Sequence, residues 1–226
     1  MFNKRFATLL LALSAACSVA IPTNEYGLHV VPDRATYERL AARHPDQRLV
    51  DVTTLDLTLR LDVRYATENN ILHRKLYPVA RVYLRAPAAQ ALADAQHELA
   101  REGLGLKVFD GYRPYRVTRQ LWEPIRNADY AADPAKGSRH NRGAAVDLTL
   151  VRLPGGEELP MPTGYDEMSP RAAQSFGDLP SAVIANRAKL RSVMERHGFV
   201  PLPSEWWHFD FAGWERFPLM DVPLDR

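Results

Sequence analysis

Cysteine is almost absent from this sequence. Cys17 is the one cysteine among 226 residues, and it lies close to the N-terminus. A chain processed after Ala20 would therefore have no disulfide to stabilise it. Its stability would rest on a hydrophobic core, and on a bound metal if the protein has one.

Strong charge and long apolar runs are also missing. The formal net charge is +2, and the Lys and Arg residues are scattered, which disfavours a nucleic-acid partner. Beyond Ile21 no apolar segment reaches the roughly 20 residues that a membrane-spanning helix needs. The composition is 46% hydrophobic and 25% charged, which is typical of a globular protein. We expect residues 21–226 to form one domain.

Residues 1–20 are typical of a secretory signal peptide. Lys4 and Arg5 precede a short apolar run, and Ser18-Val19-Ala20 offers the small residues of a cleavage site. The run is too short to favour a membrane anchor, so we predict an exported, periplasmic protein. Lipidation of Cys17 is the alternative, because the residues before it are similar to a lipoprotein signal. Against it, Ser14 occupies a position where a large aliphatic residue is usual.

Helical and strand patterns alternate along the chain without a regular βαβ rhythm. We predict helices after Asp33 and over 87–103, 117–127 and 182–197. We predict strands over 49–63, 104–109, 148–151, 199–200 and 207–211. Several Pro and Gly residues in 159–180 indicate a long loop. This order favours an α+β fold, a single domain with a small antiparallel sheet flanked by helices.

The segment from Ser138 to Asp147 is the first of two that carry chemistry. His140 and Asp147 are separated by Gly143-Ala144-Ala145, which lets the backbone bend tightly, and Leu148-Thr149-Leu150 continues as a strand. Imidazole nitrogen and carboxylate oxygen are both ligands that zinc accepts. A single histidine beside a glycine turn is more often an ordinary loop residue, so this motif alone is a weak indication.

The second segment is Glu205-Trp206-Trp207-His208. Its carboxylate and imidazole are three positions apart, which on a regular strand would point them to opposite faces. Pro203-Ser204 could supply the irregularity that brings them together. We expect the two tryptophans to wall the site and raise the basicity of Glu205, and at least one of them to pack in the core. Spacing alone does not say whether Glu205 is a metal ligand or a general base.

Together the two segments hold the inventory of a catalytic zinc site. They offer three nitrogen or oxygen ligands, which leaves a fourth position open for water, and a spare carboxylate that could act as a base. The residues themselves therefore predict a zinc peptidase.

The same residues resemble a known family. Ser-x-His-x-x-Gly-x-Ala-x-Asp followed by Glu-Trp-Trp-His is similar to the pattern of the D-alanyl-D-alanine dipeptidases, the VanX-type zinc peptidases. The likeness also includes these segments: Arg64-Tyr65-Ala66-Thr67, Asn69-Asn70, Asp110-Gly111-Tyr112-Arg113-Pro114, Arg191 to Glu195 and Gly198-Phe199. It runs in the expected order from about residue 50 to 211. It implies the compact α+β fold shared with other bacterial cell-wall peptidases and the hedgehog signalling domain.

The resemblance assigns roles to five positions. Three match the zinc ligands, for one zinc ion per chain: His140, Asp147 and His208. Glu205 matches the base that takes a proton from the zinc-bound water and passes it to the leaving amine. Arg113 matches the group that stabilises the oxyanion, a role suited to a permanently charged side chain in a turn.

Three further positions match residues that contact the dipeptide: Ser138, Tyr65 and Asp166. An acid such as Asp166 is the natural partner for a substrate ammonium. The implied reaction is hydrolysis of D-Ala-D-Ala to two molecules of D-alanine. Some family members lack a signal peptide and act in the cytoplasm. An exported member is expected to serve nutrition or wall turnover instead of depleting a precursor pool.

Two other functions stay open. One is a peptidoglycan DD- or LD-carboxypeptidase or endopeptidase with similar zinc ligands; against it, the chain has no room for an additional wall-binding module. The other is a catalytically dead, hedgehog-like binding domain, which would need neither Glu205 nor Arg113. A dipeptidase must close its cavity, and residues 152–180 are numerous enough to help do so.

Overall fold

The computed structural model describes residues 19–128 and 131–225. Cys17 and residues 1–18 of the predicted signal peptide lie outside the described residues. In the part of the chain that is described, no helix combines the length and the apolar character needed to cross a membrane.

Four helices and nine strands make up the described fold. The helices are α1 (Arg34–Arg43), α2 (Ala86–Ala100), α3 (Tyr115–Ile125) and α4 (Ser181–Arg196). The strands are β1 (Val30–Val31), β2 (Leu49–Asp51), β3 (Arg60–Leu61), β4 (Tyr83–Arg85), β5 (Leu104–Asp110), β6 (Ala145–Arg152), β7 (Phe199–Pro201), β8 (His208–Phe211) and β9 (Leu219–Met220). The predicted α+β class is confirmed.

The central sheet has five strands in the order β3-β5-β6-β8-β7. β5, β6, β8 and β7 pair antiparallel, and β3 joins the edge parallel to β5. Two smaller ladders, β2 with β4 and β1 with β9, lie outside this sheet. Consecutive strands β7 and β8 form a hairpin, whereas β5 and β6 pair across the intervening α3, so the sheet gathers segments that are distant in sequence.

The predicted helices are confirmed, each to within a few residues. Asp33 caps α1, because its carboxylate accepts a hydrogen bond from the Thr36 amide at 2.7 Å. Pro87 lies in the first turn of α2, where the missing amide hydrogen costs nothing. Leu92 and Leu99 of α2 are fully buried, so the helical spacing of the apolar residues does mark the face that packs on the core.

The single strand predicted over 49–63 is wrong. The chain forms β2, leaves the strand conformation, and returns only at β3. The Asp51 carboxylate accepts from the Thr53 amide at 3.1 Å, and the Asp56 carboxylate accepts from the Thr58 amide at 2.7 Å. Such local bonds offer the backbone an alternative to a β ladder, and alternating hydrophobicity does not reveal them.

Close packing at Gly111, directly after β5, generates a prediction about stability. A Cβ atom at this position would lie 2.6 Å from Val82 Cγ1 and 3.0 Å from the Tyr83 carbonyl oxygen. We expect Gly111→Ala to lower the free energy of unfolding by about 1–3 kcal/mol, as overpacking usually does. Urea unfolding followed by circular dichroism measures this change.

Gly177→Ala is the matched control, because an added Cβ there meets no atom within 4 Å. Its unfolding midpoint should stay close to that of the unchanged protein. Equal midpoints for both variants would show that the backbone around Gly111 yields more easily than this packing implies.

Candidate active site

The sheet register aligns three polar residues across neighbouring strands. Asp110 at the end of β5 pairs with Asp147 of β6, and Asp147 pairs in turn with His208 at the start of β8. Residues that pair across antiparallel strands place their side chains on the same face. The prediction that Asp147 lies near a strand start and faces inward is therefore confirmed, and the strands hold it beside His208.

His140 reaches this row from a short 3-10 turn, His140–Arg142. The turn ends at Gly143, whose φ of +68° is readily adopted only by glycine. The Ser138 hydroxyl accepts a hydrogen bond from the His140 amide at 3.2 Å, and the Asn141 side chain donates to the Arg113 carbonyl at 2.9 Å. The glycine bend expected in the first motif is present, and it returns the chain into β6.

Hydrogen-bond partners assign the tautomers of both histidines. His140 Nδ1 lies 2.7 Å from the Gly111 carbonyl oxygen, which can only accept, so Nδ1 carries the proton. His208 has a carboxylate oxygen 3.0 Å from each ring nitrogen, but only the one of Asp210, beside Nε2, is aligned for a hydrogen bond, so Nε2 donates. When neutral, each ring keeps a lone pair on its other nitrogen. These two nitrogens, His140 Nε2 and His208 Nδ1, lie 3.2 Å apart.

The Asp147 carboxylate completes a three-atom cluster. One oxygen, Oδ1, lies 3.0 Å from His208 Nδ1, and the other, Oδ2, lies 3.4 Å from His140 Nε2. Despite its contact with His208, the buried Oδ1 accepts no well-aligned hydrogen bond from the described residues. Lone pairs converging in a buried space repel one another unless a proton or a cation lies between them.

These separations fit a metal ion. Ligands about 2.0–2.1 Å from a tetrahedral metal are about 3.3 Å from one another, close to the distances in the cluster. Each histidine also donates its remote N–H to an oxygen acceptor, the usual support for a metal-binding imidazole. The predicted set His140, Asp147 and His208 thus has the donor atoms, tautomers and spacing to hold a metal.

Charges in the cluster shift two pKa values strongly. Burial favours the neutral form of Asp147, but the imidazoles of His140 and His208 outweigh it and hold the Asp147 pKa well below its usual range. Burial also opposes protonation of His208, yet the carboxylates of Asp147 and Asp210 raise its pKa to about 10. These carboxylates therefore favour the protonated imidazole of His208, and a cation that binds at Nδ1 would compete with that proton.

Arg113 is fixed by a buried aspartate. Its Nε and Nη2 donate to the same oxygen of Asp110 at 2.9 and 2.7 Å, and Nη2 lies 3.9 Å from Asp147. The other Asp110 oxygen accepts from Tyr77 at 2.7 Å. The ring of Tyr65 packs 5.0 Å from the guanidinium carbon. Burial works against the charge of Arg113, but Asp110 outweighs it and keeps the pKa raised.

Glu205 lies in the turn that connects β7 and β8. Its amide donates to the Leu202 carbonyl at 3.2 Å, and β8 begins only at His208. This turn is the irregularity that the odd spacing required, and it brings a Glu205 oxygen to 3.9 Å from His208 Nδ1. Burial, with the nearby charge of Asp147, raises the Glu205 pKa and makes the carboxylate a stronger base.

The expected dipeptide contacts lie beside the cluster. The Tyr65 hydroxyl donates to Asp166 at 3.0 Å, and Asp166 adopts a φ of +60°, unusual for a residue other than glycine. Burial and the charge of Asp147 raise the pKa of Asp166 to about 7.

The predicted site residues line a single cavity of about 470 Å³. It is lined by all eight residues predicted from the sequence: Tyr65, Arg113, Ser138, His140, Asp147, Asp166, Glu205 and His208. The long loop contributes Met168, Pro170 and Ala172 to the same wall, as expected of a segment that helps to close the cavity.

The tryptophans do not wall this cavity as expected. Both are buried in the hydrophobic core, and the Trp206 indole donates to Thr163 at 2.9 Å. Trp207 packs edge-on against Tyr165 with ring centroids 5.7 Å apart. The expectation that at least one would be a core residue is confirmed for both, and their influence on the site is indirect.

Two residues of the site were missed by the sequence reasoning. Asp210 supports His208, and the alternation of a strand, which points i and i+2 to one face, could have revealed it. Tyr165 donates its hydroxyl to Asp147 Oδ2 at 3.0 Å, and its ring stacks on Phe109 at 4.6 Å. It lies in the long loop, where no periodicity indicates which side chains turn inward.

A buried histidine-aspartate-histidine cluster, with a basic glutamate and a fixed arginine in one cavity, has the composition of a metallopeptidase centre. Comparison with known proteins supports that class. The family model described as D-ala-D-ala dipeptidase matches residues 46–219. The chain therefore belongs to the D-Ala-D-Ala dipeptidase family, and it is a hydrolase.

Curated relatives agree with this assignment. The D-alanyl-D-alanine dipeptidase of Escherichia coli is 37% identical over 172 residues, covering 76% of this chain and 89% of that protein. The enzyme of the same name from Enterococcus faecium is 34% identical over 173 residues, covering 67% of this chain and 85% of that protein. Among solved structures, the LD-carboxypeptidase LdcB covers 59% of this chain and 61% of its own at 22% identity, with a TM-score of only 0.39.

The Tyr165 hydrogen bond predicts a measurable effect on metal binding. It engages Asp147 Oδ2 and leaves Oδ1 without a well-aligned donor among the described residues, so it fixes how the carboxylate faces the histidines. We expect Tyr165→Phe to weaken Zn²⁺ binding by about 10-fold, the lower end for residues that orient a metal ligand. Competition with a chromophoric chelator measures the dissociation constant.

Tyr115→Phe is the control, because the Tyr115 hydroxyl donates to the Pro134 carbonyl at 2.8 Å and lies outside the cavity lining. This variant should lose about 1 kcal/mol of stability and keep its affinity for Zn²⁺. An unchanged affinity in Tyr165→Phe would mean that the strands alone orient Asp147.

Proposed function

We propose that this protein is a zinc-dependent dipeptidase that hydrolyses D-Ala-D-Ala to two molecules of D-alanine. The proposal rests on one observation. A single cavity is lined by the three residues of the cluster, His140, Asp147 and His208, and also by Glu205 and Arg113. The family to which the chain belongs, and the names of its curated relatives, support the choice of substrate.

Zinc suits the cluster because its two nitrogens and one oxygen leave a fourth position for water or substrate. One zinc ion bound there supplies Lewis acidity, which polarises a carbonyl and lowers the pKa of water. The chain contributes the fixed arrangement of the ligands, since two of them stand on neighbouring strands and the third on a glycine-ended turn.

Glu205 is proposed as the general base. It is held in the β7–β8 turn, close to the cluster but outside the three-atom set, and its raised pKa suits proton transfer near neutral pH. It would take a proton from the attacking water and give it to the nitrogen of the leaving D-alanine. Water and peptide bond are then consumed, and one amine and one carboxylate are formed.

Arg113 is proposed to stabilise the negative charge that develops on the carbonyl oxygen. Because Asp110 binds its Nε and Nη2, the guanidinium is oriented before the substrate arrives, so no reorganisation is needed during the reaction. Its charge cannot be lost at any physiological pH.

The amino end of the dipeptide is assigned to the Tyr65–Asp166 pair, with Ser138 as a further contact. A carboxylate beside a tyrosine hydroxyl in a largely buried pocket offers an ammonium both charge and a hydrogen-bond acceptor. Recognition of a free amino group would distinguish a dipeptidase from an enzyme that trims the end of a longer peptidoglycan stem.

The decisive experiment measures D-alanine release by residues 21–226 from D-Ala-D-Ala and from a stem pentapeptide, before and after chelation of zinc. We expect zinc-dependent cleavage of the dipeptide alone. Cleavage of the pentapeptide would instead indicate a wall carboxypeptidase. Bound zinc without cleavage of either substrate would indicate a binding domain.

Two variants separate metal binding from proton transfer. Glu205→Ala should keep its zinc and lose about 10²- to 10⁴-fold in kcat, the usual contribution of a general base. His140→Ala should lose both zinc and activity. Glu38→Ala, which removes an exposed carboxylate on α1, serves as the control and should behave as the unchanged protein. Full activity in Glu205→Ala would remove this residue from the base role.

We propose further that the protein is exported and acts outside the inner membrane, on the basis of the charge and hydropathy of residues 1–20. Cell fractionation should find the full chain in the periplasm and a chain without these residues in the cytoplasm. Labelling with a radioactive fatty acid that disappears in Cys17→Ala would show that the protein is a lipoprotein, whereas cytoplasmic recovery of the full chain would refute export.

A further inference from the structure

Two arginine side chains line the cavity among the described residues, and the proposed reaction uses only one of them. Arg113 is bound by Asp110 and faces the cluster. The other, Arg139, lies between Ser138 and His140 in sequence and lines the same cavity. Its side chain is 45% exposed, so the charge is accessible to a molecule in the cavity.

The guanidinium of Arg139 packs against one aromatic ring and makes one weak ionic contact. Its carbon lies 4.8 Å from the ring centroid of Trp214, a favourable cation–π distance. Its Nε lies 3.5 Å from Asp210 Oδ2, and the other oxygen of Asp210 accepts from His208. The two terminal nitrogens of Arg139 form no hydrogen bond with the described residues. This arrangement leaves a planar pair of N–H groups for an external acceptor.

The positions of charged groups suit a zwitterion. Asp166 accepts a hydrogen bond from Tyr65, whose ring packs on Arg113. Arg139 instead contacts Asp210, the aspartate that accepts a hydrogen bond from His208. In a dipeptide a single carbon atom separates the scissile nitrogen from the terminal carboxylate. A cation that recognises this carboxylate must therefore line the same cavity as the metal centre, and Arg139 does so while it contacts the aspartate that supports His208.

We propose that Arg139 binds the terminal carboxylate of the substrate through its free N–H pair. The inference rests on the proposed dipeptidase function and adds the means of selecting the carboxyl end. Guanidinium and carboxylate match in geometry, and such bonds are stronger than bonds between neutral groups. The enzyme therefore selects substrates with a free carboxyl terminus and discriminates against an amide or a chain that continues.

The test compares D-Ala-D-Ala with its C-terminal amide, using zinc-loaded protein with and without Arg139→Met. The unchanged enzyme should prefer the acid. The substitution should lower kcat/KM for the acid by about 10- to 100-fold, mainly through KM, and leave the amide nearly unaffected. Arg139→Lys, which keeps the charge but not the fork, should restore part of the preference for the acid.

Arg171→Met is the matched control. This arginine also packs over an aromatic ring, that of Phe176 at 5.6 Å, but it does not line the cavity. Its substitution should change neither substrate preference nor zinc content. The zinc content of Arg139→Met is measured in parallel, because Arg139 also contacts the aspartate that supports His208.

Separate outcomes distinguish this inference from the proposed function. An unchanged acid-to-amide ratio in Arg139→Met would overturn the inference alone, and so would an equal loss on both substrates accompanied by loss of zinc. Binding is measured independently by calorimetry of D-Ala-D-Ala on the Glu205→Ala protein, with and without Arg139→Met. If the dipeptide is neither bound nor cleaved by any form, the proposed function and the inference fall together.

Discussion

A buried carboxylate that is surrounded by positive and proton-donating groups organises this protein. Asp147 lies between two imidazoles, 3.9 Å from Arg113, and accepts a hydrogen bond from Tyr165. An uncompensated carboxylate at this depth would be severely destabilising, so these neighbours are conditions for its charge. The same charge, with the lone pairs of the two histidines, makes the position attractive to a cation. The two imidazoles that stabilise the charge of Asp147 are therefore the same groups that could bind a metal ion with it.

The site divides its residues between rigid and adaptable elements. Asp147 and His208 lie on paired strands of the central sheet. Asp110 pairs with Asp147 on the next strand and accepts the hydrogen bonds that orient Arg113. Groups that would contact the ends of a substrate come from connections instead, because Asp166 lies in the long loop and Arg139 just before the 3-10 turn. A fixed centre surrounded by connecting segments allows the chemistry to stay constant while substrate selection changes.

Most of this site could be predicted from the sequence, because chemistry-bearing residues lie in short, ordered motifs. All eight predicted residues line one cavity, and the helices follow from apolar spacing and caps. The failures share a physical cause. Aspartate turns divided the strand predicted over 49–63, the tryptophans turned to the core, and Tyr165 entered the site from a loop without periodicity. In each case a contact that pattern does not encode decided the outcome.

By itself the sequence determined which chemical groups are available, which segments form helices, and which two distant motifs hold residues able to bind a metal. Only the tertiary structure decided how those groups meet. The pairing of β5, β6 and β8 places Asp110, Asp147 and His208 in one row, and the β7–β8 turn brings Glu205 to the same side. Local sequence sets conformation over a few residues, whereas strand register and loop packing arise from contacts between residues far apart in the chain. Such long-range contacts also bring Tyr165 to Asp147, and they leave the terminal nitrogens of Arg139 accessible.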